Sequence, residues 1–141
     1  MDLALGGRRH AFLSTAQTPV ILLDTNALLW LRRGHPRSRP LIRSAGRLYV
    51  SPVTVLELQL LVEVGRLRLR SGATVSDLIE DDRWVLDDPP AARWFEFALA
   101  GSWTRDPFDR LLVAHAQLRA WRIATGDAAM LEHSSGRCLA L

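Results

Sequence analysis

Four carboxylates stand at positions where an acidic side chain is unfavourable unless a positive group lies beside it. Asp24 and Asp127 directly follow short apolar runs typical of buried strands, and Glu57 and Asp109 interrupt the apolar stripes of two helical segments. An ionised carboxylate on an apolar surface is costly, and one hard divalent cation neutralises several such groups at once. The pattern therefore predicts a metal site with oxygen ligands only, which favours Mg²⁺ or Mn²⁺ over zinc.

A site of this kind predicts a particular reaction. Mg²⁺ retains waters when it binds to a protein, and a metal makes such a water acidic enough to act as a nucleophile near neutral pH. In-line attack of that water on phosphorus would hydrolyse a phosphodiester bond. If the four acids converge without a cation, their repulsion raises their pKa values and destabilises the fold.

Each acid also has an interpretation that needs no metal. Asp24 and Asp127 are placed to cap the helix that follows, and for Asp106, which precedes Pro107, capping is the preferred interpretation. An acid in the first turn of a helix, such as Asp109, is favoured by the helix dipole. Glu57 fits a buried pair with an arginine. One shared site explains the four positions more economically than four separate causes do.

The elements that must position these acids alternate between strand and helix patterns. We predict strands over 20–23, 48–50, 84–86, 122–125 and 138–141, and helices over 25–33, 40–45, 52–64, 74–82, 89–99, 107–121 and 128–132. Segment 66–70 alternates like a strand but is short enough to be a link between helices. The alternation predicts a three-layer α/β/α domain with a mostly parallel central sheet, whose ligands bind at the carboxyl ends of the strands.

Length and composition restrict the class of protein. The chain has 141 residues, enough for one domain, and its 48% hydrophobic and 23% charged residues are ordinary for a globular protein. A single cysteine, Cys138, excludes an internal disulfide and favours a cytoplasmic location. No apolar run approaches the roughly 20 residues of a membrane span. Residues 1–18 lack the core of a signal peptide, and we expect a loosely ordered extension there.

The basic residues are unusual, because all eighteen are arginine. Their planar guanidinium groups suit phosphate, so a polyanionic partner is one interpretation, and solvated surface charge is the other. Six of them fall just after the first predicted strand and helix: Arg32, Arg33, Arg37, Arg39, Arg43 and Arg47.

Four segments of the chain resemble the PIN-domain ribonucleases, and within them most closely the VapC toxins of bacterial toxin–antitoxin pairs. They occur in the order and spacing of that family, and the resemblance extends from about Pro19 to the C-terminus. One departure is Thr104, where close relatives often have histidine. The matching segments are Leu22-Leu23-Asp24-Thr25-Asn26-Ala27-Leu28-Leu29, Ser51-Pro52-Val53-Thr54-Val55-Leu56-Glu57, Arg105-Asp106-Pro107-Phe108-Asp109-Arg110-Leu111-Leu112-Val113-Ala114 and Ile123-Ala124-Thr125-Gly126-Asp127.

The resemblance implies that residues 19–141 form a PIN-like nuclease domain. It implies an endoribonuclease dependent on Mg²⁺ or Mn²⁺, the toxin of a type II pair, forming a homodimer whose active-site groove is occupied by a small VapB-like antitoxin. Arg32 and Arg110 become candidates for binding substrate phosphate. The metal and catalytic residues would be Asp24, Glu57, Asp109 and Asp127, with Asp106, Thr25, Asn26 and Thr125 in supporting positions.

Two other functions remain open at this point. A non-catalytic module of the same fold would hold RNA or a protein through its arginines, although it has no reason to keep four acids. An aspartyl-phosphate phosphotransfer domain fits less well. A receiver domain requires a lysine, which this chain lacks, and a haloacid-dehalogenase-type phosphatase requires aspartate where Asn26 stands.

Overall fold

Five strands and seven α-helices alternate along residues 19–44 and 46–141, which are the residues that the computed structural model describes. The strands are β1 (Val20–Leu23), β2 (Arg47–Val50), β3 (Val85–Leu86), β4 (Arg122–Thr125) and β5 (Cys138–Ala140). The helices are α1 (Thr25–Arg33), α2 (Arg39–Ser44), α3 (Pro52–Glu63), α4 (Val75–Ile79), α5 (Ala91–Ala98), α6 (Pro107–Arg119) and α7 (Ala128–His133). Short 3₁₀ turns lie at Pro36–Ser38 and Ser135–Arg137.

The strands form one sheet in the order β3-β2-β1-β4-β5, and every neighbouring pair is parallel. From β1 the chain adds β2 and β3 on one side, and β4 and β5 follow on the other. The strand order therefore reverses between β1 and β4, where Leu23 pairs with Ala124. Crevices outside the carboxyl ends of strands at such a reversal are the usual ligand sites of open parallel sheets.

Alternating side chains of β1 face two separate cores, one on each side of the sheet. Ile21 and Leu23 pack with Leu28 of α1 and Leu58 of α3. Leu22 packs on the opposite face with residues of α6 and α7. Because both faces of the sheet are covered by helices, the expected three-layer α/β/α architecture is confirmed.

Local sequence explains where several helices begin and end. Ser51 accepts a hydrogen bond from the Val53 amide at the start of α3, and Thr74 with Asp77 forms a complete capping box at the start of α4. Helix α1 ends at Gly34, whose φ of 68° favours glycine. These are the boundaries that the capping and glycine patterns predict.

Segment 66–70 is the link between helices that the sequence left as one alternative, and it forms no strand. Leu67 and Leu69 pack against a core while the arginines are exposed. Two expectations about the elements need correction. The helix expected over 74–82 ends at Ile79, and the strand expected over 84–86 begins at Val85. Residues 1–18 lie outside the described residues. Among those described, no helix has both the length and the apolar character to cross a membrane.

Candidate active site

A cavity of about 270 Å³ opens at the carboxyl edge of the sheet, beside the reversal point between β1 and β4. Five carboxylates line it, and we call it the acidic pocket: Asp24, Glu57, Asp106, Asp109 and Asp127. Its other lining residues are Thr25, Asn26, Val53, Thr54, Leu61, Arg66, Phe108, Leu112 and Met130. The structure thus brings together acids that are separated by up to about a hundred residues along the chain.

Asp24 and Asp127 follow β1 and β4, and each also caps a helix. Asp24 Oδ1 accepts a hydrogen bond from the Ala27 amide at 2.7 Å, and Asp127 Oδ1 accepts one from the Met130 amide at 2.8 Å. The capping interpretation and the pocket interpretation are therefore both correct for these residues. Capping occupies one carboxylate oxygen of each residue and fixes the direction of the side chain.

Glu57 reaches the pocket from α3, where it accepts a hydrogen bond from the Thr25 hydroxyl. The apolar stripe that Glu57 interrupts continues to Leu60 and Val64 at helical spacing. It does not face the core as expected, because Leu60 is 39% exposed and Val64 is 67% exposed. The most deeply buried side chain of α3 is Leu58. Glu57 is half-buried at the border of the buried face, so it reaches both the pocket and solvent.

Asp106 and Asp109 come from the start of α6. Asp106 Oδ1 accepts a hydrogen bond from the Phe108 amide at 2.9 Å, so it is the cap that the sequence predicts as well as a pocket residue. Asp109 lies one turn further, half-buried, on the side of α6 that carries the buried Leu112 and Val113. Ala120, which falls on the same side at helical spacing, lies beyond the end of the helix and is exposed.

The pocket raises the pKa of three of its acids. Burial raises the pKa of Asp24 to about 6, against the opposing effect of hydrogen bonds from Thr125 and the Ala27 amide. Burial, followed by the charges of the four other acids, raises the pKa of Asp109 to about 7. Burial also raises the pKa of Glu57. The carboxylates thus repel one another, and the fold favours their protonated or otherwise neutralised forms.

No cation of the described residues forms an ion pair with the acidic pocket. The ion pairs of the described residues lie elsewhere: one joins Arg83 to Asp81, and Arg119 and His115 both pair with Asp87. The alternative of a Glu57–arginine pair is therefore not realised in residues 19–44 and 46–141. Uncompensated, oxygen-only donors with raised pKa values suit a hard divalent cation by their chemistry. Across those same ranges, no three His, Cys, Asp or Glu side chains are already arranged as a set that could hold a metal.

Thr25, Asn26 and Thr125 lie around the acids, as expected of supporting residues. Thr125 is fully buried, and its hydroxyl oxygen accepts a hydrogen bond from the Asp127 amide at 3.0 Å. Asn26 is exposed and lines the pocket. The three side chains therefore contact or flank the carboxylates from the start of α1 and the end of β4.

The arginines at the pocket differ from those that the sequence singles out. Arg32 lies in a separate cavity with Asp77 and Asp81, and Arg110 donates from Nε to the carbonyl oxygen of Thr104 at 2.8 Å; neither lines the acidic pocket. Arg66, just beyond the end of α3, does line it. Its position depends on the turn that closes α3 at Gly65, whose φ is 77° and after which the Arg66 amide donates to the Leu61 carbonyl. The glycine predicts where the helix ends, but it does not predict that the Arg66 side chain lines the pocket.

Comparison with known proteins connects this architecture to a family. The family model for the PIN domain matches residues 21–134. Among solved structures, a toxin–antitoxin complex from Klebsiella pneumoniae is similar, at 17% identity and a TM-score of 0.59, over 84% of this chain and 95% of that chain. A search of the curated proteins gives no significant match.

Two further solved structures are similar to the chain. The VapBC2 complex from Rickettsia felis, bound to a DNA fragment from its promoter, is 17% identical with a TM-score of 0.58 and covers 81% of this chain and 92% of that chain. The FitAcB structure from Neisseria gonorrhoeae is 24% identical with a TM-score of 0.53, over 84% of this chain and 96% of that chain. At these identities the likeness concerns the fold.

Proposed function

This chain belongs to the PIN domain family, and from that premise we propose that it is the nuclease toxin of a toxin–antitoxin pair and hydrolyses RNA with the help of Mg²⁺ or Mn²⁺. PIN domains are generally nucleases, which supports a hydrolase that acts on nucleic acid. The similar structures are toxin–antitoxin complexes, which supports an antitoxin as partner. The homodimer implied by the sequence resemblance is part of the same proposal.

The observation that carries the proposal is the convergence of uncompensated acids at the reversal point of the sheet. Apart from the helix caps that Asp24 and Asp127 provide, gathering these two acids with Glu57 and Asp109 in one cavity is unfavourable for the fold. Burial and mutual repulsion raise the pKa of three of the four acids. Such an arrangement is characteristic of a functional site rather than of a structural network. A purely binding module has no use for it.

We assign a role to each acid. Asp24, Asp109 and Asp127 would hold the metal directly or through water, and Glu57 would ligate it or orient the attacking water. A divalent cation at this point supplies positive charge for the substrate phosphate and lowers the pKa of the hydrolytic water. Asp106 adds negative charge at the rim.

The remaining pocket residues position these groups and the substrate. The Thr25 hydroxyl directs Glu57, and Thr125 holds the backbone of Asp127. Asn26 offers an amide at the exposed edge. Arg66 lines the pocket and forms no ion pair among the described residues, so its guanidinium is free to bind the phosphate that is to be cut.

The test is RNA cleavage by the purified protein in Mn²⁺ or Mg²⁺, with EDTA as the metal-free condition. We expect Asp24→Asn to reduce cleavage by at least about a hundredfold, because it removes a ligand charge at the centre of the site. The matched control is Asp82→Asn, which removes the same charge from an exposed residue outside the acidic pocket. Undiminished cleavage by Asp24→Asn, or cleavage insensitive to EDTA, contradicts the proposal.

A further inference from the structure

The side chain of Arg37 is held in place although it is exposed. Its guanidinium carbon lies 4.1 Å from the centroid of the Trp30 ring, and its Nη2 donates a hydrogen bond to the Leu141 carbonyl oxygen at 2.9 Å. The Trp30 ring also stacks with His35, at 5.9 Å between centroids. A guanidinium fixed in this way has already lost much of its conformational freedom, so binding a ligand costs less entropy.

The cluster of Trp30 and Arg37 adjoins the acidic pocket at two points. A Cβ atom on Gly126 would collide with Nη2 of Arg37 and would lie 2.8 Å from the Trp30 ring, so the cluster packs directly on the residue before Asp127. Asn26 is one helical turn before Trp30 on the same face of α1, and such side chains are neighbours about 5–6 Å apart. Asn26 and Asp127 both line the pocket.

Most donors of the Arg37 guanidinium have no acceptor within residues 19–44 and 46–141. Its one side-chain hydrogen bond there is to Leu141, and none of the ion pairs in these ranges includes it. The pocket beside it is strongly acidic and repels a phosphate chain until a cation is present. A fixed arginine at the rim still has guanidinium donors left over after its hydrogen bond to the main-chain oxygen of Leu141. Its positive charge offsets that repulsion for the neighbouring part of the strand.

We infer that Arg37, oriented by Trp30, binds a backbone phosphate of single-stranded RNA on the α1 side of the acidic pocket, next to the phosphate that is cut. The inference rests on the proposed function in taking RNA as the substrate. Arg66 lines the pocket itself, so the two arginines hold successive parts of one strand. Arg37 is therefore a substrate-binding residue that acts through charge and two-pronged hydrogen bonding.

The experiment measures binding of a labelled oligouridylate in the Asp24→Asn background, so that the RNA stays intact. Affinity is measured between about 50 and 200 mM salt, because each phosphate contact makes the slope of log affinity against log salt more negative by about 0.7 for a single strand. We expect Arg37→Ala to make that slope less negative by about 0.7 and to weaken binding about tenfold at low salt. We expect Arg37→Lys to keep the slope, because it keeps the charge.

The matched control is Arg43→Ala, which removes the same charge from an exposed residue of α2 that lines no part of the pocket. It should leave the slope unchanged. If Arg37 serves only to hold the C-terminal strand through Leu141, Arg37→Ala will lower the unfolding temperature without changing the slope, and the inference is wrong. It is equally wrong if the Asp24→Asn protein binds no oligouridylate.

Failure of the proposed function gives a different result from failure of this inference. If the parent protein cuts no RNA but the salt dependence of binding changes in Arg37→Ala, the nuclease proposal is wrong and the binding site stands. If cleavage depends on metal and on Asp24 but the salt dependence of binding is the same in Arg37→Ala, the nuclease proposal stands and the binding site is wrong.

Discussion

Asp109 is the residue whose ionisation costs the fold most. It is half-buried, all four other acids of the pocket raise its pKa, and its carboxylate accepts no hydrogen bond from the described residues. Asp24, in contrast, is more deeply buried but is partly stabilised by Thr125 and the Ala27 amide. The two residues therefore make the metal-free protein sensitive to pH.

The direction of that sensitivity follows from linkage. The pKa values of Asp24 and Asp109 are raised from 3.8 to about 6 and about 7, so the folded state binds these protons more tightly than the unfolded state does. The associated stability is fully present below about pH 4 and is lost as the pH rises through about 6 to 7. In EDTA, thermal unfolding should therefore begin at lower temperature at pH 8 than at pH 5.

Removing the Asp109 charge should prevent part of this loss of stability at high pH. We expect Asp109→Asn to be more stable than the parent at about pH 8 in EDTA by about 1 kcal/mol, once solvent screening of a half-exposed group is allowed for. The difference should shrink as the pH falls and vanish below about pH 4, where the Asp109 carboxyl is protonated in both the folded and the unfolded state. Circular dichroism during heating measures this, with Asp82→Asn as control. A parent protein whose unfolding temperature is flat between pH 5 and pH 8 contradicts the electrostatic account of the pocket.

For single residues, the sequence predicts the acids of the site but not its arginines. Asp24 and Asp127 can be assigned to the site because the carboxyl ends of buried parallel strands meet at one edge of the sheet. Arg66 cannot be assigned from the sequence, because the position of its side chain depends on how the chain turns after α3. The same is true of Trp30 and Arg37, whose contacts with Gly126 join distant segments.

Among the elements, α3 shows where periodicity fails. Apolar residues surround this helix, since Val53, Val55, Leu56 and Leu58 point in different directions. The hydrophobic pattern therefore does not predict which face of α3 is buried, and the face that carries Leu60 and Val64 is not the buried one. The contacts of Leu58 with the sheet core decide the orientation. The capping residues, which act locally, are sufficient to predict where the helix starts.

The His115–Asp87 contact is a second feature that only tertiary structure reveals. His115 is fully buried in α6, and its Nε2 lies 2.7 Å from Asp87 Oδ2, just beyond β3. Arg119 donates to the same carboxylate. Burial lowers the pKa of His115 in spite of that carboxylate. The contact ties α6 to the edge of the sheet and does not reach the acidic pocket.

The end of α6 offers a prediction about stability. Ala120 closes the helix with a φ of 59°, a left-handed conformation that is unfavourable for any residue with a Cβ. Ala120→Gly should therefore raise the free energy of unfolding by about 0.5–1 kcal/mol. Urea denaturation measures it. As a control, Ala92→Gly, in the exposed first turn of α5, should lower that free energy by a similar amount. If both changes have the same effect, Ala120 does not have the left-handed conformation.

On the scale of the whole molecule, topology creates the site. The acids come from the ends of β1 and β4 and from the first parts of α3 and α6, and only the reversal of strand order between β1 and β4 leaves a crevice in which they meet. Alternation of strand and helix patterns is enough to predict the parallel sheet. The order of the strands and the convergence of the acids depend on long-range packing, for which the sequence resemblance to the PIN family is the stronger guide.

The most direct test of the shared acidic site is calorimetric titration with Mn²⁺ of the parent protein, Asp24→Asn and Asp82→Asn at about pH 8. We predict saturable binding to the parent and to Asp82→Asn. In a second titration below about pH 7, where Asp109 is still partly protonated, binding should also release protons. Asp24→Asn should show at least about tenfold weaker binding. A parent protein without saturable heat, or an Asp24→Asn protein that binds Mn²⁺ as tightly as the parent, would contradict the account.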